Sequence, residues 1–304
     1  MKIKVSAPGK LMLLGEHAVV YGYPCLVTAV DKRLYVQAEI INNKEDEIIA
    51  PQVKESRFVL ESIAQFKAKF GLEKSVRIIT KGDFSHRVGL GSSSAVTVAT
   101  FKALSLLFKL PLTLREIFDL SYKVNLSIQG VGSGFDLATA TYGRTIFFVT
   151  GGKIIEPLKI NPLPLVVGYS GIKADTPFYI RKVAEAFKRR KEDLNQIFNE
   201  ITKLVYQAKK AILKSEFKLL GELMTKNHQW LKKLGVSVPK LDKMVMAALE
   251  GGAYGAKLSG AGGGDCMIAL VDQKNRRKVE SAIKKIGGEI IKTKTNAKGV
   301  KLEI

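Results

Sequence analysis

Three observations predict an α+β fold in two domains. Strand-like and helix-like stretches interleave, but without the regular βα repeat that a parallel sheet would need. The 304 residues are enough for two ordinary domains, each with a core of its own. A proline-dotted segment, LKINPLPLVVGYSG, marks the boundary between residues 1–160 and residues 161–304.

The first domain opens with a strand, KIKVSAPGK, continued by KLMLLGEHAVVYGYPCLVTAV and by an alternating strand, RLYVQAEI. A polar stretch, INNKEDEIIAPQ, reads as a hairpin or loop. SRFVLESIAQFKAKFGL is a helix ending at Gly71, and SVRIITKGDF is a strand. Two helices follow, SAVTVATFKALSLLFKL and TLREIFDLSYKVNLSIQG, the second opening with Thr113 and a glutamate three residues on. TIFFVTGGKIIEPL is a hairpin through Gly151 and Gly152. Beyond the boundary come helices from Thr176 to about Leu234 and the helix PKLDKMVMAALEGG. A strand-turn, AKLSGAGGGDCMIALV, a helix, RRKVESAIKKIGG, and a last strand complete the chain.

Composition narrows the class. Apolar and charged fractions are ordinary for a globular chain. No apolar run is long enough for a bilayer, and the N-terminus lacks a secretory h-region, so a cytoplasmic protein is expected. Cys25 and Cys266 lie far apart in apolar company, which fits buried thiols and no disulfide or zinc site. The net charge of +21 would suit nucleic acid or anionic substrates. The lysines are dispersed over amphipathic helices, though, so a solvated face is expected and nucleic acid is not.

Three glycine-bearing stretches point to chemistry. In GLGSSSA, Gly89 to Ala95, a glycine turn leads from a strand into a helix. It lacks the Gly-Lys-Ser/Thr ending of a Walker loop, yet it gathers unpaired N–H groups at the positive end of a helix. Such a place holds anions, phosphate above all; the plainer reading is a serine cap on an ordinary helix. KLSGAGGGDCMIAL carries four glycines between Gly260 and Gly264, which allow close approach of a ligand or a plain flexible loop. GVGSGFD ends in Asp136, which taken alone would be a helix cap.

Together with SAPGKLMLLGEHAVVYG, these stretches resemble the GHMP kinase superfamily, and most of all the mevalonate kinases. The motifs occur in the family's order, and ELMTKNHQWLKKLGVSVPKLDKMV also resembles that family's C-terminal half, so the likeness spans nearly the whole chain. The resemblance implies an N-terminal domain with a left-handed βαβ crossover, a ferredoxin-like C-terminal domain, and an active site between them. It implies that Gly89, Leu90, Gly91, Ser92, Ser93, Ser94 and Ala95 wrap the phosphates of ATP, with Ser93 a ligand of Mg²⁺. Asp136 would sit by the substrate hydroxyl with Lys10 beside it. Glu16, His17 and Thr176 would face mevalonate, and the loop bearing Gly260, Ala261 and Gly262 would close over the phosphates from the second domain.

Elementary chemistry suits those roles. Phosphoryl transfer needs positioning and charge neutralisation more than covalent help. Asp136 can accept the alcohol proton, and Lys10 can stabilise the developing alkoxide. Outside its motif, Lys10 would be a solvated lysine and His17 a core or surface histidine.

Two departures stand out. Eleven residues before Asp136, where mevalonate kinases carry a Mg²⁺-binding glutamate, this chain has Asn125, which offers a carbonyl but no charge. GSGFDLATATYG is worded more like the phosphomevalonate kinases, whereas GEHAVVYG is not. Mevalonate is therefore the expected acceptor and phosphomevalonate the alternative. A non-catalytic nucleic-acid module on the same scaffold is the rival of a different class, and Lys10, Ser93 and Asp136 all speak against it. A homodimer is compatible with the sequence.

Overall fold

The computed structural model describes residues 1–53, 56–85 and 87–303. Two sheets organise it. The first is built on strand β1 (Lys2–Leu14), buried almost continuously from Val5 onward, and on β2 (Pro24–Ile40), which runs antiparallel to it. β2 is long enough to serve two partners. Its start pairs β5 (Thr145–Val149), and its end pairs β4 (Val76–Gly82). β6 (Ile154–Leu158) folds back on β5 as the expected hairpin through Gly151 and Gly152.

The polar stretch after β2 differs from expectation. Glu47–Ile49 form a short strand, β3, parallel to β4, and helix α1 (Arg57–Phe70) crosses between them. Three residues are too few to show an alternating pattern, so the βαβ unit is hidden in the sequence. α1 buries Val59, Ile63 and Phe66 along one stripe and stops at Gly71, which takes a left-handed conformation.

Helix α2 (Ser92–Leu107) is apolar nearly all round because it runs through the middle of the first domain, against β1, β2 and α1. α3 (Leu114–Gln129) opens with the capping box of Thr113 and Glu116, and α4 (Phe135–Tyr142) lies against β1 and α2.

The second sheet is antiparallel, in the order β10-β7-β9-β8: β7 (Leu165–Tyr169), β8 (Gly255–Ser259), β9 (Cys266–Leu270) and β10 (Glu289–Ile291). The basic stretch beyond Thr176 forms α5 (Thr176–Ala186), α6 (Lys191–Leu213) and α7 (Phe217–Lys233). On α6, Leu194, Ile197, Phe198, Ile201, Leu204 and Val205 are buried, so its lysines line a solvated face. α8 (Pro239–Glu250) and α9 (Arg276–Lys285) pack on each other and on the second sheet.

The end of the chain also differs from a single last strand. After β10 it returns to the first sheet, where β11 (Lys301–Leu302) pairs with β1. Arg33 draws it back, its guanidinium donating to the carbonyls of Ser6 (3.0 Å), Lys298 (2.8 Å) and Gly299 (2.7 Å). One large core crosses both halves, with Leu11, Leu14 and Leu26 packed together with Leu231, Leu258 and Met267. Among the described residues no helix is long and apolar enough to cross a membrane.

Candidate active site

A cleft of about 950 Å³ opens where the ends of β1, α2, α4 and α5 meet the loop between β8 and β9. Lys10, Glu16, His17, Gly89, Gly91, Ser92, Ser93, Asn125, Asp136, Thr176, Gly260 and Ala261, all predicted site residues, line it. Leu90, Ser94 and Ala95 turn inward to the core, and Gly262 packs its Cα side against the Val236 carbonyl.

The entry to α2 is built by backbone. Gly91, left-handed at φ 77°, is the N-cap of α2, and no side chain caps the helix. The N–H groups of Ser92, Ser93 and Ser94 therefore have no intrahelical acceptor, and no acid occupies the first turn. The serines are thus not the cap; they stand just inside the helix. A Cβ on Gly91 would come within 3.1 Å of the Lys10 side chain, so glycine is what lets β1 and the loop lie this close. Lys10 is nearly buried. Its backbone N–H donates to the Leu90 carbonyl and its Nζ to the Gly89 carbonyl, each at 2.9 Å. The ammonium also lies 5.6 Å from the centroid of the Phe135 ring, next to Asp136 in sequence.

Asp136 is not a helix cap either. Gly134 occupies that position, and Asp136 lies in the first turn of α4, half-buried, its Oδ1 accepting from the Leu137 N–H at 3.0 Å. Asn125, on α3, is nearly buried and lies against Gly132.

The opposite wall is held by side chains from the second domain. Met12 N–H donates to Ser259 Oγ at 2.9 Å, and Gly15 N–H to Asn227 Oδ1 at 3.2 Å. Glu16 is fully buried and ion-paired with the fully buried Lys257 of β8. Burial raises the Glu16 carboxyl and lowers the Lys257 ammonium, while the attraction between them opposes both shifts. His17 adopts φ 60°, rare for a residue with a side chain, and its Nε2 lies 2.9 Å from the Ala261 carbonyl. Burial lowers its pKa, so the imidazole is neutral and its proton sits on Nε2, facing the carbonyl.

Sequence reasoning missed Asp265, which also lines the cleft. Its Oδ1 accepts from the Ala174 N–H at 3.0 Å, and its carboxylate would collide with any side chain at Gly89. Burial raises its pKa, opposed by the Ala174 N–H and the charges of Lys10 and Lys173. The signal was present: an acid ends the run GAGGGD as Asp136 ends GVGSGFD. Lys257 and Asn227 carry no comparable local signal.

Over its whole length the chain is similar to mevalonate kinases. It is 36% identical to that of Thermococcus sibiricus, with all of this chain and 99% of the relative aligned, and 37% identical to that of Pyrococcus horikoshii, with 99% and 98% aligned. The chain belongs to the mevalonate kinase family. Models of that wider superfamily agree: the GHMP kinases N terminal domain matches residues 57–144 and the GHMP kinases C terminal matches 208–289. A galactokinase galactose-binding signature matches residues 2–39. The solved mevalonate kinase of Methanococcus jannaschii superposes with a TM-score of 0.84 at 28% identity, covering 97% of this chain and 98% of that one. The L. major enzyme in complex with R-mevalonate also gives 0.84, at 25% identity, covering 97% and 96%. A Streptococcus pneumoniae phosphomevalonate kinase, at 21% identity and a TM-score of 0.83, covering 97% and 99%, shares the fold. The two-domain fold expected from the sequence is the one found, and the chain is a kinase of this family.

Proposed function

We propose that this kinase transfers the γ-phosphoryl group of ATP to the 5-hydroxyl of mevalonate, in the cytoplasm. The observation that supports it is the meeting, on one cleft, of an uncapped α2 N-terminus, Lys10 and Asp136. Full-length relatives named mevalonate kinase supply the acceptor. The backbone N–H groups of Ser92, Ser93 and Ser94 bind phosphate oxygens, and Lys10 adds a cation at the same loop. Asp136 orients the acceptor hydroxyl and takes its proton as the new P–O bond forms; the old bond to the bridging oxygen breaks and ADP leaves. Lys10 stabilises the charge that develops between them. Glu16, His17 and Thr176 bind the acceptor on the opposite wall.

The donor set fits Mg²⁺ carried in with nucleotide. Ser93, Asn125 and Asp136 line one side of the cleft, and among the described residues no cluster of three or more His, Cys, Asp or Glu could hold a metal alone. Mg²⁺ is commonly held by one or two carboxylates together with substrate phosphates, and when bound it would neutralise phosphate charge.

A coupled assay of ADP release over mevalonate, phosphomevalonate, homoserine and galactose tests the proposal. Turnover should be highest with mevalonate by kcat/KM. Preference for phosphomevalonate would reassign the acceptor and keep the phosphate site; no turnover with any alcohol would remove the kinase mechanism.

A further inference from the structure

Four residues at the end of β1 are tied to the second domain, and one of these ties is unlike the rest. Met12, Gly15 and His17 are held through neutral hydrogen bonds, but Glu16 is held by a charge, the Lys257 ammonium, with neither side chain reaching water. Lys257 Nζ also donates to the Leu258 carbonyl at 2.5 Å, so the lysine is anchored to its own strand. It bonds only one Glu16 oxygen, Oε1; Oε2 is buried without a hydrogen-bond partner, although the residue lines the cleft. Asn227 Nδ2, on the neighbouring helix, is buried without a partner as well. An ion pair this deep rarely adds net stability over an apolar pair of the same shape, so its retention calls for another reason.

We propose that Lys257 is a positioning residue for the acceptor substrate: its ammonium holds Glu16 as a carboxylate, leaving Oε2 to accept a hydrogen bond from a hydroxyl of the acceptor. Lys257 does not reach the cleft itself, and it acts through Glu16. The inference rests on the reading that the acceptor lies against this wall.

The surroundings leave Lys257 as the group that can perform this task. On α7, His228 is neutral at physiological pH, its pKa lowered to about 4 chiefly by burial, with Lys257 contributing. His228 Nε2 faces Asp242 of α8, which is also bonded by Ser237 and Lys232, so that acid is engaged away from Glu16. On β2, Cys25 is a buried thiol whose pKa is pushed up by burial and then by the charges of Glu16 and Asp136. His17, beside Glu16 in sequence, is neutral and occupied by Ala261. Without Lys257 only the backbone N–H groups of Glu16 and Gly260 would oppose burial, and buried glutamates can rise to pKa values of roughly 8–9.

Lys257→Met and Glu16→Gln test this, with steady-state kinetics on whichever acceptor the wild type phosphorylates and ATP affinity by calorimetry. In Lys257→Met, acceptor KM should rise at least ~10-fold at pH 7 while ATP affinity stays within about twofold, and the rise should fade toward pH 9 as Glu16 ionises. Glu16→Gln should show the same rise with no recovery at high pH. A flat pH profile in Lys257→Met, or acceptor and ATP affinities falling together, would overturn the proposal. If Lys257→Met does not fold, Glu16→Gln decides: a wild-type acceptor KM there sinks the inference. Absence of turnover in the wild type would instead count against the kinase reading itself.

Discussion

The two walls of the cleft are built by different means. The wall proposed to bind phosphate is a backbone construction, made where one glycine turn enters α2 and another enters α4, each turn lying within a few residues of the helix it opens. The wall proposed for the acceptor consists of side chains held across the domain boundary, Glu16 by Lys257 and His17 by Ala261, with partners more than 240 residues apart. A wall made of backbone tolerates changes in side chains but not in conformation. A wall made of paired side chains has the opposite weakness. Mutation should therefore damage the two walls in different ways.

Chemistry on the phosphate side should show the largest effect. Asp136→Asn preserves shape and removes the proton acceptor, so kcat should fall by about 10²–10⁴. ATP affinity and melting temperature should stay close to wild type. A variant keeping a large share of wild-type kcat would take Asp136 out of the mechanism.

Next comes conformation. Gly91→Val forces a β-branched residue into φ 77° and against Lys10, at a strain of roughly 1–2 kcal/mol. Rotating the loop away would forfeit one or two charge-assisted hydrogen bonds to phosphate, so ATP should bind about 100-fold more weakly. Calorimetry that finds unchanged affinity would make this turn an ordinary helix start.

The same contrast explains what could be read from sequence. Helices with a clear stripe and a stop, such as α1 with Gly71 or α3 with its capping box, were legible because their causes are local. So were the glycine turn before α2 and the place of Asp136 at the start of α4. β3 was not, since three residues show no period, nor was β11, whose partner lies at the opposite end of the chain. Lys257 looked like any strand lysine until the fold set it against Glu16. Asp265 was visible as an acid after glycines, but its meaning depends on Gly89 and Ala174, which only folding brings near.

The acceptor side should respond to acid. His228, behind Lys257, has its folded pKa lowered from 6.5 to about 4, mainly by burial. The unfolded chain then binds the extra proton between those values, so the stabilisation is complete above about pH 6.5 and declines as pH falls toward 4. At pH 5 the loss is about 2 kcal/mol, enough to lower the melting temperature by a few degrees. His228→Gln should flatten that part of the pH profile while leaving Asp136-dependent turnover unaltered in kind. A wild-type melting temperature that holds constant from pH 8 to pH 5, with no difference from the variant, would show that His228 protonates freely in the folded protein.

The smallest effect concerns the one place where the phosphate wall depends on a side chain. Asn125 lines the cleft on α3 with a neutral carbonyl, and Mg²⁺ is held mainly by charged oxygens. The site should therefore bind free Mg²⁺ poorly and accept the metal already on ATP. Asn125→Glu adds a charge, and the Mg²⁺ concentration for half-maximal activity should drop a few-fold at fixed ATP. The side chain has little room, since Asn125 is nearly buried and lies against Gly132, so the gain will be limited by repacking of that turn. If Asn125 instead serves the acceptor or the 130–133 loop, Asn125→Glu will raise acceptor KM and leave the Mg²⁺ curve in place. Titrating Mg²⁺ for both proteins separates these outcomes, and an unshifted curve would show that position 125 has no part in metal binding in this chain.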